Sequence, residues 1–466
     1  MSEAQLINRA LKAVMNRNAS EDPHRPAWHL SPQTGLMNDP NGFIQFQGEW
    51  HLFYQWNPLA CAHGAKYWGH WRSANLLDWQ HEPLALAPAE TYESHGCYSG
   101  SAVDHDGTLT LFYTGNVKFS GGRTAWQCMA TVNDAGDVTK TGPVIGLPPG
   151  YTGHVRDPKV WHHQDSWYMV LGAQDLKEQG KVLLYRSESL HEWTLLGEIA
   201  GSQLNGLGDF GYMWECPDLF ALGDRDVLLV CPQGLPAQQR KWLNAHQSGY
   251  FIGRLDYAAA RFPHGEFCEL DHGFEFYAPQ TTLSDDGRRV LIGWMGVPDA
   301  EELLQPTVGR GWIHIMTCPR ELTLEQDRLM QRPARELQQL RQQRSRYQQR
   351  AASLPTLPVE RAELVIGSRG SWSACFGEAL TLICNEDGLT LSRRNLRSGE
   401  TEHRYWTGAV SHLQILCDRS SIEIFINDGE GVMSARYFPN AVPEVVWQGE
   451  ASLTVDYWQL RSGMVV

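Results

Sequence analysis

Cationic excess is what this chain most plainly lacks: 39 Lys and Arg stand against 53 Asp and Glu, a formal charge of −14 over 466 residues. A nucleic acid or an anionic membrane needs a basic face on its partner, so neither is expected to bind. A single phosphate on a small substrate needs only a local group of donors and stays open. No apolar run reaches the length of a membrane-spanning helix. The first twenty residues also lack the continuous apolar core of a signal peptide, because Leu6, Ile7, Leu11, Val14 and Met15 alternate with polar residues as in a short amphipathic helix. Ten cysteines, at 61, 97, 128, 216, 231, 268, 318, 375, 384 and 417, contain no C-x-x-C pair and no framework spacing. They read as buried thiols in a reducing compartment. A cytoplasmic location follows, in which the one sequon, Asn18-Ala19-Ser20, stays unused. The 18 histidines form no close ligand pairs: His70, His81, His95 and His105 are spread along the chain, and His162-His163 reads as a turn doublet. No catalytic metal and no cofactor are expected.

What the chain does have is a repeat. Asp39 in Met-Asn-Asp-Pro-Asn-Gly, Asp157 in Arg-Asp-Pro-Lys and Glu215 in Trp-Glu-Cys-Pro-Asp are 118 and 58 residues apart, two units and one unit of a common length. Ser99 in Gly-Cys-Tyr-Ser-Gly-Ser and Tyr277 in Phe-Tyr-Ala-Pro-Gln fall at the missing steps. A strand-like run follows each landmark, from Trp50, Leu109, Trp167, Val227 and Val290 in turn. The stretch from Arg72 to Trp79 recurs from Arg186 to Trp193. Five units of strand-forming content predict a five-bladed β-propeller, whose radial blades bring equivalent positions to one central funnel. Three carboxylates would meet there. An isolated Asp in Asn-Asp-Pro-Asn-Gly is most often a turn former; the joint occurrence of three acids in matching units is what points to catalysis. Most of the 18 Trp are expected to pin blades together, with two or three left for a sugar.

The organisation predicted is all-β: an N-terminal helix and approach segment over 1–27, the propeller over 28–331, a helical connector over 332–354, and a C-terminal β-sandwich over 355–466. The connector rests on the Gln/Arg-rich composition after Pro333. The sandwich rests on short alternating runs with turns at Asp387-Gly388 and Asp428-Gly429.

At the Asn-Asp-Pro-Asn-Gly, Arg-Asp-Pro and Glu-Cys-Pro elements, taken in that order, the chain resembles glycoside hydrolase family 32, the invertases and fructan hydrolases. The stretches from His51 to Pro58 and from Tyr98 to Val103 are most similar to bacterial members that act on a phosphorylated sucrose. The resemblance implies that Asp39 is a nucleophile, Glu215 an acid/base and Asp157 a stabiliser of the fructosyl ring, in a retaining reaction through a covalent fructosyl-enzyme. For that work Asp39 should be ionised and Glu215 protonated, with Asn38 and Ser99 holding the charge on Asp39 and Arg156 orienting Asp157. Gln55, Trp68, Tyr98, Tyr277 and Trp294 resemble the family's sugar-contacting positions, while Asp218 reads as a loop buttress. For a phosphate on the leaving group, the donors available in nearby loops are His63, Lys66, Lys118, Arg123 and His154. A general invertase or fructan hydrolase, a fructosyltransferase and a non-catalytic sugar-binding propeller remain as alternatives. The expected partner is a small sugar or sugar phosphate, and a homodimer is compatible with the sequence.

Overall fold

A computed structural model describes residues 1–17 and 21–463, so the sequon at 18–20 lies outside the described residues. The N-terminal helix, Glu3–Met15, starts at a capping box in which Ser2 Oγ accepts from the Gln5 amide and Gln5 Oε1 accepts from the Ser2 amide. Its apolar side, Leu6, Ile7 and Ala10, lies on Tyr67, Leu84 and Ala87. Among the described residues no helix is long and apolar enough to cross a membrane.

The alternating runs form five antiparallel sheets arranged as a propeller, followed by a sandwich of two six-stranded sheets. The innermost strands of blades 1 to 5 are Gly35–Phe46, Cys97–His105, Tyr151–His163, Met213–Leu222 and Tyr277–Leu283. Each touches the next, and the fifth touches the first, so the five close into a ring. Closure is reinforced where Trp312–Ile313, which follows the second strand of blade 5, pairs in parallel with Gly35 and Leu36 of blade 1. Aromatic faces hold the blades, as in the stack of Trp71 on Tyr54 with ring centroids 4.1 Å apart.

The connector corrects the expectation of helix over 332–354. Arg335–Leu340 and Ala351–Ser353 make short 3-10 turns, and Arg341–Arg350 between them is a strand pairing with Ser452–Leu460 in the sandwich. Helix propensity of Gln and Arg is a weak prior. It loses here because an edge strand lets long side chains reach acids on neighbouring strands: Arg341 pairs with Glu363 at 2.7 Å, and Arg344 pairs with Asp456 at 2.7 Å.

Sandwich and propeller are fastened by Trp28, Leu77, Leu337, Phe425 and Leu460, all buried, and by a solvent-free charge network. Arg320 of blade 5 contacts Glu423 at 2.9 Å and Asp271 at 3.3 Å. His29 contacts Asp418 at 2.9 Å and Glu423 at 2.7 Å. Charges buried this way hold only when every partner is present.

Candidate active site

Every innermost strand breaks register with its neighbour at the residues that the repeat singles out: between Met37 and Pro40, Tyr98 and Gly100, Arg156 and Lys159, Glu215 and Asp218, and Tyr277 and Gln280. Four of these bulges carry a proline, Pro40, Pro158, Pro217 and Pro279, which is where a strand tolerates a missing N–H. Aligned on the prolines, Asp39 matches Asp157, Cys216 and Ala278, whereas Glu215 matches Asn38, Arg156 and Tyr277. The three acids are therefore not at equivalent positions, as the spacing alone suggests; Glu215 stands one residue earlier. The bulge removes the usual alternation of side chains, so both members of a pair reach the funnel. Asn38 with Asp39, Tyr98 with Ser99, and Arg156 with Asp157 all line one cavity of about 360 Å³, together with Glu215 and Tyr277. Asp157, Cys216 and Ala278 occupy the left-handed region at φ of 68°, 51° and 50°, backbone strain held by the surrounding ring of strands.

The carboxylates are wired differently. Asp39 accepts from Ser99 Oγ at 2.5 Å and from Asn38 Nδ2 at 3.2 Å. Burial pushes its pKa above the ordinary value, and the Ser99 hydroxyl pulls it partly back. Asp157 accepts from the Cys216 amide at 2.8 Å. Burial, then the charge of Glu215, push it up to about 7. Glu215 Oε1 receives both Nε and Nη2 of Arg156, at 2.9 and 2.6 Å, and Oε2 receives the Tyr277 hydroxyl at 2.7 Å. Burial alone would raise its pKa, but Arg156 reverses the direction and Glu215 lies below the ordinary value. Two expectations are corrected by this. Arg156 donates to Glu215 and acts on Asp157 only through its charge, and Glu215, expected to be protonated, has its pKa pulled down because the guanidinium is bonded to its carboxylate.

The Cys216 thiol lies 3.6 Å from Asp39 and 3.5 Å from Asp157. One donor atom from each of the three falls within 4.8 Å of the others. The thiol's pKa is raised well above its usual value by its contact with Cys231 and by burial. Cys216 thus serves as a hydrogen-bond donor between two carboxylates.

Among the other expected residues, Gln55 lines the cavity and donates to the Cys97 carbonyl at 2.7 Å. Trp294 also lines it, edge-on to Tyr277, with its indole N–H unpartnered among the described residues. Trp68 does not: it is fully buried with Phe53 and Tyr113 between blades 1 and 2 and donates to the Tyr98 carbonyl. It packs blades.

His63, Lys66, Lys118 and Arg123 line the cavity, whereas His154 stands behind, its Nδ1 3.1 Å from Arg123 and 2.9 Å from Arg156. Burial and these guanidiniums lower its pKa to about 4, so it is neutral and positions them. Lys66 is buried, with Nζ on Asn38 Oδ1 at 2.9 Å and on His63 Nδ1 at 3.0 Å; burial lowers it to about 7. Lys118 and Arg123 remain as cations at the rim, opposite each other in the second hairpin of blade 2. Asp218 accepts from the Thr281 amide at 2.8 Å and ties blade 4 to blade 5. Sequence reasoning passed over Gln233, Pro298 and Asp299, which also line the cavity and carry no motif, and the role of Cys216, which its place in Glu-Cys-Pro already marked.

The model of the glycosyl hydrolases family 32 N-terminal domain matches residues 29–333, and that of the family's C-terminal region matches residues 387–459. A sucrose-6-phosphate hydrolase of Salmonella typhimurium is 57% identical over 100% of both chains. Among solved structures, a sucrose-6-phosphate hydrolase from Lactobacillus gasseri superposes with a TM-score of 0.89 at 29% identity, covering 99% of this chain and 97% of that one. A Bombyx mori β-fructofuranosidase superposes with a TM-score of 0.88 at 34% identity, covering 100% and 99%.

Proposed function

From its membership of glycosyl hydrolases family 32, to which this chain belongs, we propose that the protein hydrolyses sucrose 6-phosphate to glucose 6-phosphate and fructose. Asp39 attacks the anomeric carbon of the fructosyl unit as the glycosidic C–O bond breaks, and Glu215 gives its proton to the departing glucosyl oxygen. Glu215 then takes a proton from water, which attacks the same carbon and frees Asp39. Asp157 accepts hydrogen bonds from fructosyl hydroxyls that strengthen as the ring becomes oxocarbenium-like. Glu215 acquires its proton as substrate fills the cavity, because expelling water adds to the desolvation that already opposes its charge.

The observation that carries the reading is the convergence of Asp39, Asp157 and Glu215, each with its own set of hydrogen-bond donors, on one cavity. Lys118 and Arg123 at its rim supply the charge that a phosphate on the glucosyl side requires. A phosphorylated disaccharide belongs inside the cell, where uptake coupled to phosphorylation delivers it, so we place the reaction in the cytoplasm. The test compares kcat/KM on sucrose and sucrose 6-phosphate, for the natural chain and for Arg123→Gln. The phosphate ester is expected to be the better substrate and to lose its advantage in the variant. Equal values in the natural chain would remove the phosphorylated substrate and leave the fructosidase.

A further inference from the structure

By sequence, Lys66 and His63 are donors for a phosphate on the leaving group. In the folded chain their bonds are aimed elsewhere, towards Asp39. Lys66 ends the loop between the second and third strands of blade 1, Glu49–Asn57 and Tyr67–Ser73. Its backbone is fixed from blade 2, where the Cys97 amide donates to the Lys66 carbonyl at 2.9 Å. The residue is 4% exposed, with Nζ 2.9 Å from Asn38 Oδ1 and 3.0 Å from His63 Nδ1.

An ammonium donates and cannot accept, and this decides what its neighbours do. The Asn38 amide turns Oδ1 to Lys66, which leaves Nδ2 to donate to Asp39 Oδ1 at 3.2 Å. His63 accepts at Nδ1, so its proton is on Nε2, which faces Glu302 Oε1 at 3.3 Å. Glu302 comes from the loop after Arg289–Met295 of blade 5, and its Oε2 accepts from Nε2 of buried His314 at 2.7 Å. Burial opposes the charge of Glu302, yet its two histidines hold it well below the usual carboxylate range. One line of bonds therefore runs through Glu302, His63, Lys66, Asn38 and Asp39, from blade 5 to the nucleophile in blade 1.

Ser99 Oγ holds Oδ2 of the same carboxylate, so both oxygens of Asp39 are fixed only while Asn38 keeps its orientation. An amide turned the other way would face the carboxylate with its own oxygen, acceptor against acceptor. Lys66 prevents that turn. Asp39 and Glu302 are also the two acids whose charges favour the buried ammonium. Both ring nitrogens of His63 are committed to protein partners, and Nζ of Lys66 is committed to two acceptors, which leaves the phosphate to Lys118 and Arg123.

Taking Asp39 as the nucleophile, we propose that Lys66 is a positioning residue. Through Asn38, with His63 and Glu302 behind it, it fixes the carboxylate for attack on the anomeric carbon, whether or not the leaving sugar carries a phosphate.

The test measures kcat/KM on sucrose and on sucrose 6-phosphate for Lys66→Met, His63→Ala, Asn38→Ala and the double variant of Lys66→Met with Asn38→Ala, with circular dichroism to follow the fold. Lys66→Met should lower both values by one common factor, about ten-fold to a hundred-fold, as expected for the loss of a hydrogen bond from a charged group. His63→Ala, at a side chain 45% exposed, should lower both by about two-fold to five-fold without disturbing the core. Added to Asn38→Ala, Lys66→Met should cost at least about five-fold less than it costs the natural chain, since the two act as one unit. A loss confined to the phosphate ester would make Lys66 or His63 a phosphate ligand, and losses that multiply in the double variant would mean that Lys66 does not act through Asn38. Either result overturns the proposal, as would natural-like values in Lys66→Met. Should Lys66→Met not fold, His63→Ala decides on the same two sugars: an equal loss supports the proposal, and no loss or a loss on the ester alone overturns it. Equal values on both sugars in the natural chain would remove the phosphorylated substrate and leave the role of Lys66 standing, because that role concerns the fructosyl side.

Discussion

Replacing Ser99 by Ala should move the acid limb of the pH–activity profile upward, because that limb reports ionisation of Asp39 in the free enzyme. In the structure the Asp39 carboxyl is opposed by burial and stabilised mainly by one short bond, from Ser99 Oγ at 2.5 Å; Asn38 at 3.2 Å is the weaker second donor. A hydrogen bond to a charged group contributes about 1.5–3 kcal/mol, and one pH unit corresponds to about 1.4 kcal/mol. Losing it should raise the Asp39 pKa by about one to two units, the lower figure if Asn38 and the Cys216 thiol close in. Activity on the acid side falls accordingly, while kcat/KM on the plateau changes less. The measurement is kcat/KM against pH for both proteins on the same sugar, with circular dichroism to show that the fold is kept. An acid limb that stays put would refute the claim that Ser99 sustains the charge on the nucleophile.

Asp39→Asn and Glu215→Gln should each cost at least about 10² to 10⁴ in turnover with the fold kept by circular dichroism; near-natural turnover in either, checked by release of reducing sugar, would end its assignment. Tyr277→Phe deletes a 2.7 Å bond to Glu215, which raises the pKa of that acid and should carry the alkaline limb of the kcat profile, which reports the substrate complex, to higher pH, whereas a downward shift would contradict the geometry. His29 has a folded pKa of about 9 against an ordinary 6.5, raised by Asp418 and Glu423 against the opposing effect of burial. Its stabilising contribution, about 3 kcal/mol by that difference, is complete below pH 6.5 and is lost as pH rises through about 9. The melting temperature should fall across that window in the natural chain and fall less steeply in His29→Gln; parallel curves would mean that the imidazole is neutral throughout.

Legibility followed the range of the interaction. The strand content of each unit and the five-fold recurrence are local and periodic, and they imply a propeller from sequence alone. Trp68 and Trp294 look alike in a sequence, yet one packs between blades and the other faces the cavity, because burial depends on which neighbours arrive from elsewhere in the ring. The stretch 341–350 has helix-forming composition and becomes a strand because its arginines find acids on Arg361–Arg369, close in sequence, and on Ser452–Leu460, where Asp456 stands 112 residues from Arg344. His154, by sequence a donor for a phosphate, is neutral and turned to two guanidiniums, since burial and those charges reach it through space.

The amino-acid order alone set which reacting groups exist and that they lie in three different blades of one ring: two aspartates and a glutamate, each beside a proline or a cysteine-proline pair, in strands repeated at one period. Only the folded ring decided which of them carries charge. The bulges bring consecutive residues to the same cavity, so that Arg156 meets Glu215 and not its own neighbour Asp157, and ionisation depends on distance and burial, which composition and spacing along a chain do not encode. The closing of blade 5 on blade 1 likewise brought Glu302 to His63, and so set the partners of Lys66 from residues far apart in sequence.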